Sequence, residues 1–239
     1  MIQLQDIFLN LDGKSVLTNI SFSLKDDENL IVLGKSGSGK TVLIKTLMGL
    51  YTPVQGTVLI DDVDIHRSRE SDVFAVRQKI AMVFQNAALL DSYTVFQNVA
   101  LPLYERGEKD FAWIRNRVDY CLELVGLPDT REMFPAELSG GMRKRIGIAR
   151  ALVYEPQWII FDEPVSGLDP MTSREILFYM AKIIREKQIT SITITHDLRD
   201  LEAIGNRVLF LKDGQCLFFG GIDELYKSND LSIREFLNR

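Results

Sequence analysis

Cysteine is almost missing from this chain of 239 residues, with only Cys121 and Cys216. The two stand far apart, without a CxxC pair or metal-ligand spacing. That excludes a disulfide framework and a thiolate metal site, and both are read as structural free thiols. No apolar run approaches the ~20 residues of a membrane span. Residues 1–6, Met-Ile-Gln-Leu-Gln-Asp, lack the charged start and apolar stretch of a signal peptide, so the chain is expected in the cytoplasm. Repeats, low-complexity tracts, Pro/Gly linkers and sustained heptads are absent, which removes repeat arrays and long coiled coils. Basic excess is missing too. A net charge of −5 argues against DNA or RNA as the main partner, so no nucleic acid is expected.

What is present is ordinary for a globular protein: 46% apolar and 26% charged residues, in a length that suits one generous domain or one carrying a subdomain. Ile2-Gln3-Leu4 and Ile20-Ser21-Phe22-Ser23-Leu24 alternate like short strands around an Asp12-Gly13 turn. Leu30-Ile31-Val32-Leu33 is continuously apolar, which fits a strand buried on both faces. Further strands are predicted at Thr57–Ile60, Ile80–Phe84, Trp158–Phe161, Ser191–Thr195, Arg207–Leu211 and Cys216–Phe219. Helical spacing follows the glycine loop at Val42–Met48, fills much of 91–154, including an amphipathic stretch at Arg115–Val125, and returns over Thr172–Glu186. Strand and helix alternating in this way imply a parallel sheet built of βαβ units. The plan is one α/β domain over 1–239: a core and β subdomain at about 1–87 and 156–239, with a helical subdomain at about 88–155.

Two stretches suit anions. Gly34-Lys35-Ser36-Gly37-Ser38-Gly39-Lys40-Thr41 matches G-x-x-x-x-G-K-[ST] between a strand and a helix. Its glycines let backbone N–H groups wrap phosphates, Lys40 supplies a charge to the β/γ oxygens, and the Thr41 hydroxyl suits Mg²⁺. Leu138-Ser139-Gly140-Gly141-Met142 opens a helix whose first N–H groups lack partners and sit at the positive end of its dipole. Read from these residues alone, both cradles can grip one nucleotide in the same chain. Asp162 and Glu163 end the Trp158–Phe161 strand, where α/β folds place ligands. Asp162 is expected to hold Mg²⁺, directly or through water, and Glu163 to orient and deprotonate an attacking water. His196, after the next strand, is expected beside the same phosphates. His66 is expected to be exposed. Asp61, Asp62 and Asp64 read as a polar turn rather than a metal site. The basic run Arg143-Lys144-Arg145, with Arg150, reads as a solvated or phosphate-biased helix face. The amphipathic tail Asp230–Leu237 is expected to pack on its own domain.

In this order, the glycine loop, Leu138-Ser139-Gly140-Gly141, Ile159-Ile160-Phe161-Asp162-Glu163, Ser166-Gly167-Leu168-Asp169 and His196 resemble an ABC-transporter ATPase over essentially the whole chain. The resemblance implies a P-loop fold of that type, with a parallel-sheet core, an N-terminal antiparallel β subdomain and a helical subdomain. It implies ATP and Mg²⁺ as cofactors, and Gln85 as the glutamine that senses the γ-phosphate and Mg²⁺. His196 becomes the residue contacting the γ-phosphate, and Asp169 a communicator across a head-to-tail homodimer. Each ATP then lies between one copy's P-loop and the other's Ser139-Gly140-Gly141. Transmembrane permease subunits are the further partners, holding the ATPase at the inner face of the cell membrane.

A narrower similarity lies in Phe84–Leu103, with its Ala88-Leu89-Leu90-Asp91-Ser92-Tyr93-Thr94-Val95, and in Met142, which stands where many relatives carry glutamine. Both resemble the ATPases of bacterial Mce/Mla-type lipid transporters and imply lipid cargo and a Mce-type substrate-binding protein. The alternative is the ATPase of a small-solute, amino-acid-type importer. A non-transport ABC protein fits less well, since those usually carry two cassettes or a long coiled coil. The chain departs from the family near Leu11-Asp12-Gly13, where no aromatic stands ready to stack on adenine; Phe8 is the nearest candidate.

Overall fold

The computed structural model describes residues 1–197 and 203–238. They form two compact units: Met1–Ile80 with Thr190–Arg239, and Ala81–Ile189.

In the first unit, β1 (Ile2–Leu11) and β2 (Lys14–Leu24) form a long antiparallel hairpin around the expected Asp12-Gly13 turn. Both strands run further than their alternating cores suggested. Register shifts near Leu4–Asn10 let polar stretches join the ladder while Ile2, Leu4, Ile7 and Leu9 stay buried opposite Leu24, Phe22, Ile20 and Leu17. β4 (Gln55–Ile60) pairs antiparallel with β1, and the two-residue β5 (Val63–Asp64) completes the order β2-β1-β4-β5.

The second sheet of this unit centres on β3 (Leu30–Leu33), with all four residues buried. It runs parallel to β8 (Thr190–Thr195) on one side and β9 (Arg207–Lys212) on the other, and β10 (Gln215–Gly221) is antiparallel to β9. Burial on both faces explains the continuous apolar run of β3. Helices α1 (Lys40–Leu47) and α2 (Glu70–Arg77) belong to the same unit, as do α7 (Ile222–Tyr226) and α8 (Leu231–Leu237). The tail packs on its own domain: Ile233 and Phe236 are buried, and the Phe236 ring meets Phe210 of β9 edge-on at 5.2 Å.

The second unit holds most of β6 (Ile80–Val83), then α3 (Val95–Glu105), α4 (Phe111–Leu124), α5 (Gly140–Leu152), β7 (Trp158–Asp162) and α6 (Pro170–Lys187). Thr94 and Gln97 close a capping box on α3, and Asp110 caps α4. α6 buries Ser173, Ile176, Leu177, Met180, Ile183 and Ile184, the spacing of a single helical face. Among the described residues, no helix is long and apolar enough to cross a membrane.

Two surface expectations are corrected. His66 is half-buried rather than exposed, because its Nε2–H donates to the Thr46 carbonyl at 3.1 Å. Of the basic run only Arg143 is exposed. Lys144 and Arg145 are each only 9% exposed, and their charges point at backbone carbonyls. The aspartate-rich stretch is the polar turn expected, with Asp61 and Asp62 in left-handed backbone.

Loss of water around the imidazolium pulls the His66 pKa below its ordinary 6.5, against the smaller opposing effect of the Thr46 carbonyl. As pH falls, the unfolded chain therefore takes up this proton first. The His66 contribution is intact above 6.5 and is lost as pH drops through that value towards the folded one. Urea midpoints taken between about pH 5 and 7.5 should fall more steeply for the wild type than for His66→Gln. Parallel profiles for the two proteins would contradict this.

Candidate nucleotide site

The first unit carries the glycine loop where β3 ends. Register pairs Leu33 of β3 with Thr195 of β8, so Gly34 and His196 leave neighbouring parallel strands at the same edge. His196 is exposed there, and the N–H of Asp197 donates to the Thr195 hydroxyl. Gly34 has no room for a side chain: a Cβ would stand 2.4 Å from the Leu211 carbonyl oxygen and 2.5 Å from Ser38 Oγ. Gly39, in left-handed backbone at φ 104°, turns the chain into α1. Gly214, in the turn between β9 and β10, donates its N–H to the Ser38 carbonyl and accepts from Thr18, which ties the loop to β2.

Lys40 is buried, and its Nζ donates to the carbonyls of Gly34 at 2.7 Å and Lys35 at 3.1 Å. Thr41 is exposed in the first turn of α1, while Lys35, Ser36 and Gly37 form the exposed crest of the loop. Ser38 is buried, and its Oγ has no hydrogen-bond partner. A buried polar atom left in that state costs on the order of 1–3 kcal/mol, which an incoming acceptor relieves. Bare backbone, an ammonium and an unsatisfied hydroxyl together fit a polyphosphate.

The second unit gathers the remaining candidates around β7 and α5. Glu163 follows β7 in left-handed backbone at φ 45°, a strained state for a residue with a side chain. Gln85 Nε2 donates to Glu163 Oε2 at 3.1 Å and to Ser166 Oγ at 3.2 Å. Asp162 is the last residue of β7 and is half-buried. Among the described residues, no three His, Cys, Asp or Glu side chains cluster as a resident metal site. Mg²⁺ takes one or two protein ligands and completes its shell with water and substrate phosphates. In the first unit Thr41 carries a hydroxyl of the kind such an ion accepts; in the second, Asp162 carries a carboxylate and Gln85 an amide oxygen.

Ser139 caps α5 by accepting from the Met142 N–H at 3.2 Å. Its hydroxyl proton still points elsewhere, and Gly140 and Gly141 supply first-turn N–H groups without intrahelical partners. Met142 thus contributes a backbone N–H here. Asp169 caps α6, accepting from the N–H groups of Met171 and Thr172 and from the Thr172 hydroxyl at 2.6 Å. The Thr172 hydroxyl bond leads the effects that hold the Asp169 carboxyl below its usual range.

Three residues that support this unit were hidden by their type. Lys144 Nζ donates to the carbonyls of Ser166 at 2.9 Å and Glu163 at 3.4 Å, fixing the turn that presents the Glu163 carboxylate. Ser166 shares the Gln85 amide, and buried Asn98 clasps Leu90 through both its amide oxygen and nitrogen.

Glu163→Gly should relieve the left-handed strain and raise unfolding stability by about 1 kcal/mol in urea. Unchanged stability would mean that the turn is not strained.

Comparison with known proteins gives the family. Residues 17–166 match the ABC transporter family. The chain is 39% identical over 242 residues to the methionine import ATP-binding protein MetN of Carboxydothermus hydrogenoformans, covering all of this chain and 72% of that protein. It is 32% identical over 237 residues to the intermembrane phospholipid transport system ATP-binding protein MlaF of Haemophilus influenzae, covering 99% and 90%. Among solved structures, the cassette MJ0796, dimeric and bound to ADP and Pi after hydrolysis, superposes with a TM-score of 0.82 at 30% identity, over 93% of this chain and 99% of that one. CbiO1 of Clostridium perfringens, part of the transporter complex cbiONQ, gives 0.86 at 31%, over 100% and 94%. With its family match, full-length relatives and shared fold, the chain belongs to the ATP-hydrolysing subunits of ABC transporters.

Proposed function

We propose that this ATPase drives transport by hydrolysing ATP with Glu163 as the base, in a head-to-tail dimer of two copies bound to transmembrane permease subunits. The observation that carries this reading is the Gln85–Glu163–Ser166 hydrogen-bonded group at the end of β7, which aims the carboxylate from a strained turn. Glu163 takes a proton from the attacking water. The Gln85 amide orients Glu163, and Lys40 and the loop N–H groups hold the phosphates against departure in the wrong direction. Thr41, Asp162 and Gln85 would be the residues that hold Mg²⁺, which would supply neutralisation of phosphate charge when bound. His196, beside the loop edge, contacts the γ-phosphate. Ser139, Gly140 and Gly141 serve the nucleotide of the partner copy, with Asp169 close to that junction. Closed and open dimers then differ in nucleotide affinity, which is what lets ATP move the membrane partners.

On cargo, import of an amino-acid-type solute has the stronger support, through the methionine importer at 39% identity across the whole chain. Lipid transport is the second reading. It is supported by the Phe84–Leu103 segment, by Met142, and by the phospholipid transport relative matched over 90% of its length. A Mce-type binding protein belongs only to that second reading.

Glu163→Gln should keep ATP binding and lower turnover roughly 10²-fold, the scale of losing a general base; full turnover would overturn the assignment. For cargo, the complex recovered from its native membrane with its permease should be reconstituted in proteoliposomes. ATP-dependent methionine uptake, with no transfer of labelled phospholipid, is the expected result. Phospholipid transfer without amino-acid uptake would replace it with the lipid reading.

A further inference from the structure

Helix α5 grips the Gln85 loop at a place separate from the Gln85 side chain. Ala87 and Ala88 follow Gln85 closely, and both lie in left-handed backbone, at φ 57° and 47°. Unlike the Asp61-Asp62 turn, alanines have no polar side chain to support left-handed backbone locally, so two in succession are costly and call for an outside constraint. The constraint is Arg150. Its Nη2 donates to the Ala87 carbonyl at 2.6 Å and its Nη1 to the Ala88 carbonyl at 2.7 Å. A planar guanidinium matches two neighbouring acceptors at once, which an ammonium cannot do. One turn earlier on α5, Gly147 makes the approach possible: a Cβ there would stand 3.1 Å from Ala87 Cβ and 3.3 Å from its Cα. The Ala87 side chain is itself buried against α5, while Ala88 is exposed, so the corner is held from the α5 side.

We infer that Arg150 is a positioning residue for ATP hydrolysis: by locking the Ala87-Ala88 corner, it holds the Gln85 amide against Glu163 and Ser166. The inference rests on the reading of Gln85 as the partner of Glu163. Without the guanidinium, the two carbonyls turn to water and the corner relaxes towards extended backbone. Gln85 then loses the fixed origin from which its side chain spans 3.1 and 3.2 Å to its partners. The same helix begins at Ser139-Gly140-Gly141, about 16 Å away at 1.5 Å per residue. A tilt of α5 felt at that cradle therefore reaches Gln85 through Arg150 and Gly147.

The test is a double-mutant cycle on the full chain, measuring ATPase kcat, KM for ATP and thermal unfolding. Arg150→Met should lower kcat about tenfold while KM stays within about twofold, and Arg150→Lys should recover part of the loss. In a Gln85→Ala background, Arg150→Met should cost less than about twofold, since the residue it positions is gone. Equal losses in both backgrounds, or an unaffected kcat, would overturn the inference. Full turnover in Gln85→Ala alone would remove the reading of Gln85, and the inference with it, as a separate result. Should Arg150→Met fail to fold, Gly147→Ala presses on the same corner with the charge retained. It is expected to show the same kcat loss and the same dependence on Gln85, and additivity there counts equally against the inference.

Discussion

Cations of α5 bonded to backbone carbonyls, two of them (Lys144 and Arg145) buried, fasten the loops of the second unit. Along α5, Arg143 reaches the carbonyl of Leu138, Lys144 those of Ser166 and Glu163, Arg145 that of Val125, and Arg150 those of Ala87 and Ala88. These carbonyls lie in loops and at helix ends, outside the regular ladders, and an under-satisfied acceptor inside a protein is costly. A charged donor is the strong solution, because such hydrogen bonds are worth roughly twice a neutral one. The far end of the helix is treated alike: Arg117 of α4 donates to the carbonyls of Leu152 and Val153 at the C-terminal end of α5. Loops that must hold unusual backbone are thereby fastened to one rigid rod.

The first unit solves a different problem with different means. Its glycine loop needs exposed N–H groups, so it cannot be clamped through them. It is instead confined from behind. The Leu211 carbonyl crowds Gly34, the Gly214 N–H takes the Ser38 carbonyl, and β2 takes Gly214 in turn. The fully buried strand β3 aims the loop, and its register with β8 brings His196 out beside it. Confinement by packing leaves the donors facing outward for a ligand.

The sequence was most readable where a residue's chemistry and its setting agree. Leu30–Leu33 could only be a buried strand, and the loop after it could only be a phosphate cradle. The β1–β2 hairpin was found by its turn and its alternating cores, yet its length was not, because bulges break the period of two on which the reading depends. The interior role of Lys144, Arg145 and Arg150 was missed for a deeper reason. Long cations have polar ends that solvate by default, and whether a carbonyl waits for them is a property of loops distant in sequence, such as Glu163–Ser166. His66 was misjudged on the same ground: its partner, the Thr46 carbonyl, belongs to the end of another helix. Cargo was the least readable of all, since the residues in hand describe an engine and its linkage.

The ammonium of Lys40 already occupies the space its own loop encloses, bonded to the carbonyls of Gly34 and Lys35. On the proposed nucleotide site, the arriving phosphate therefore meets a loop kept in shape by an internal placeholder charge. Association becomes an exchange of hydrogen-bond partners, with no segment to be ordered first. The entropy of capture is correspondingly small, and the rate of encounter is left to diffusion and to charge.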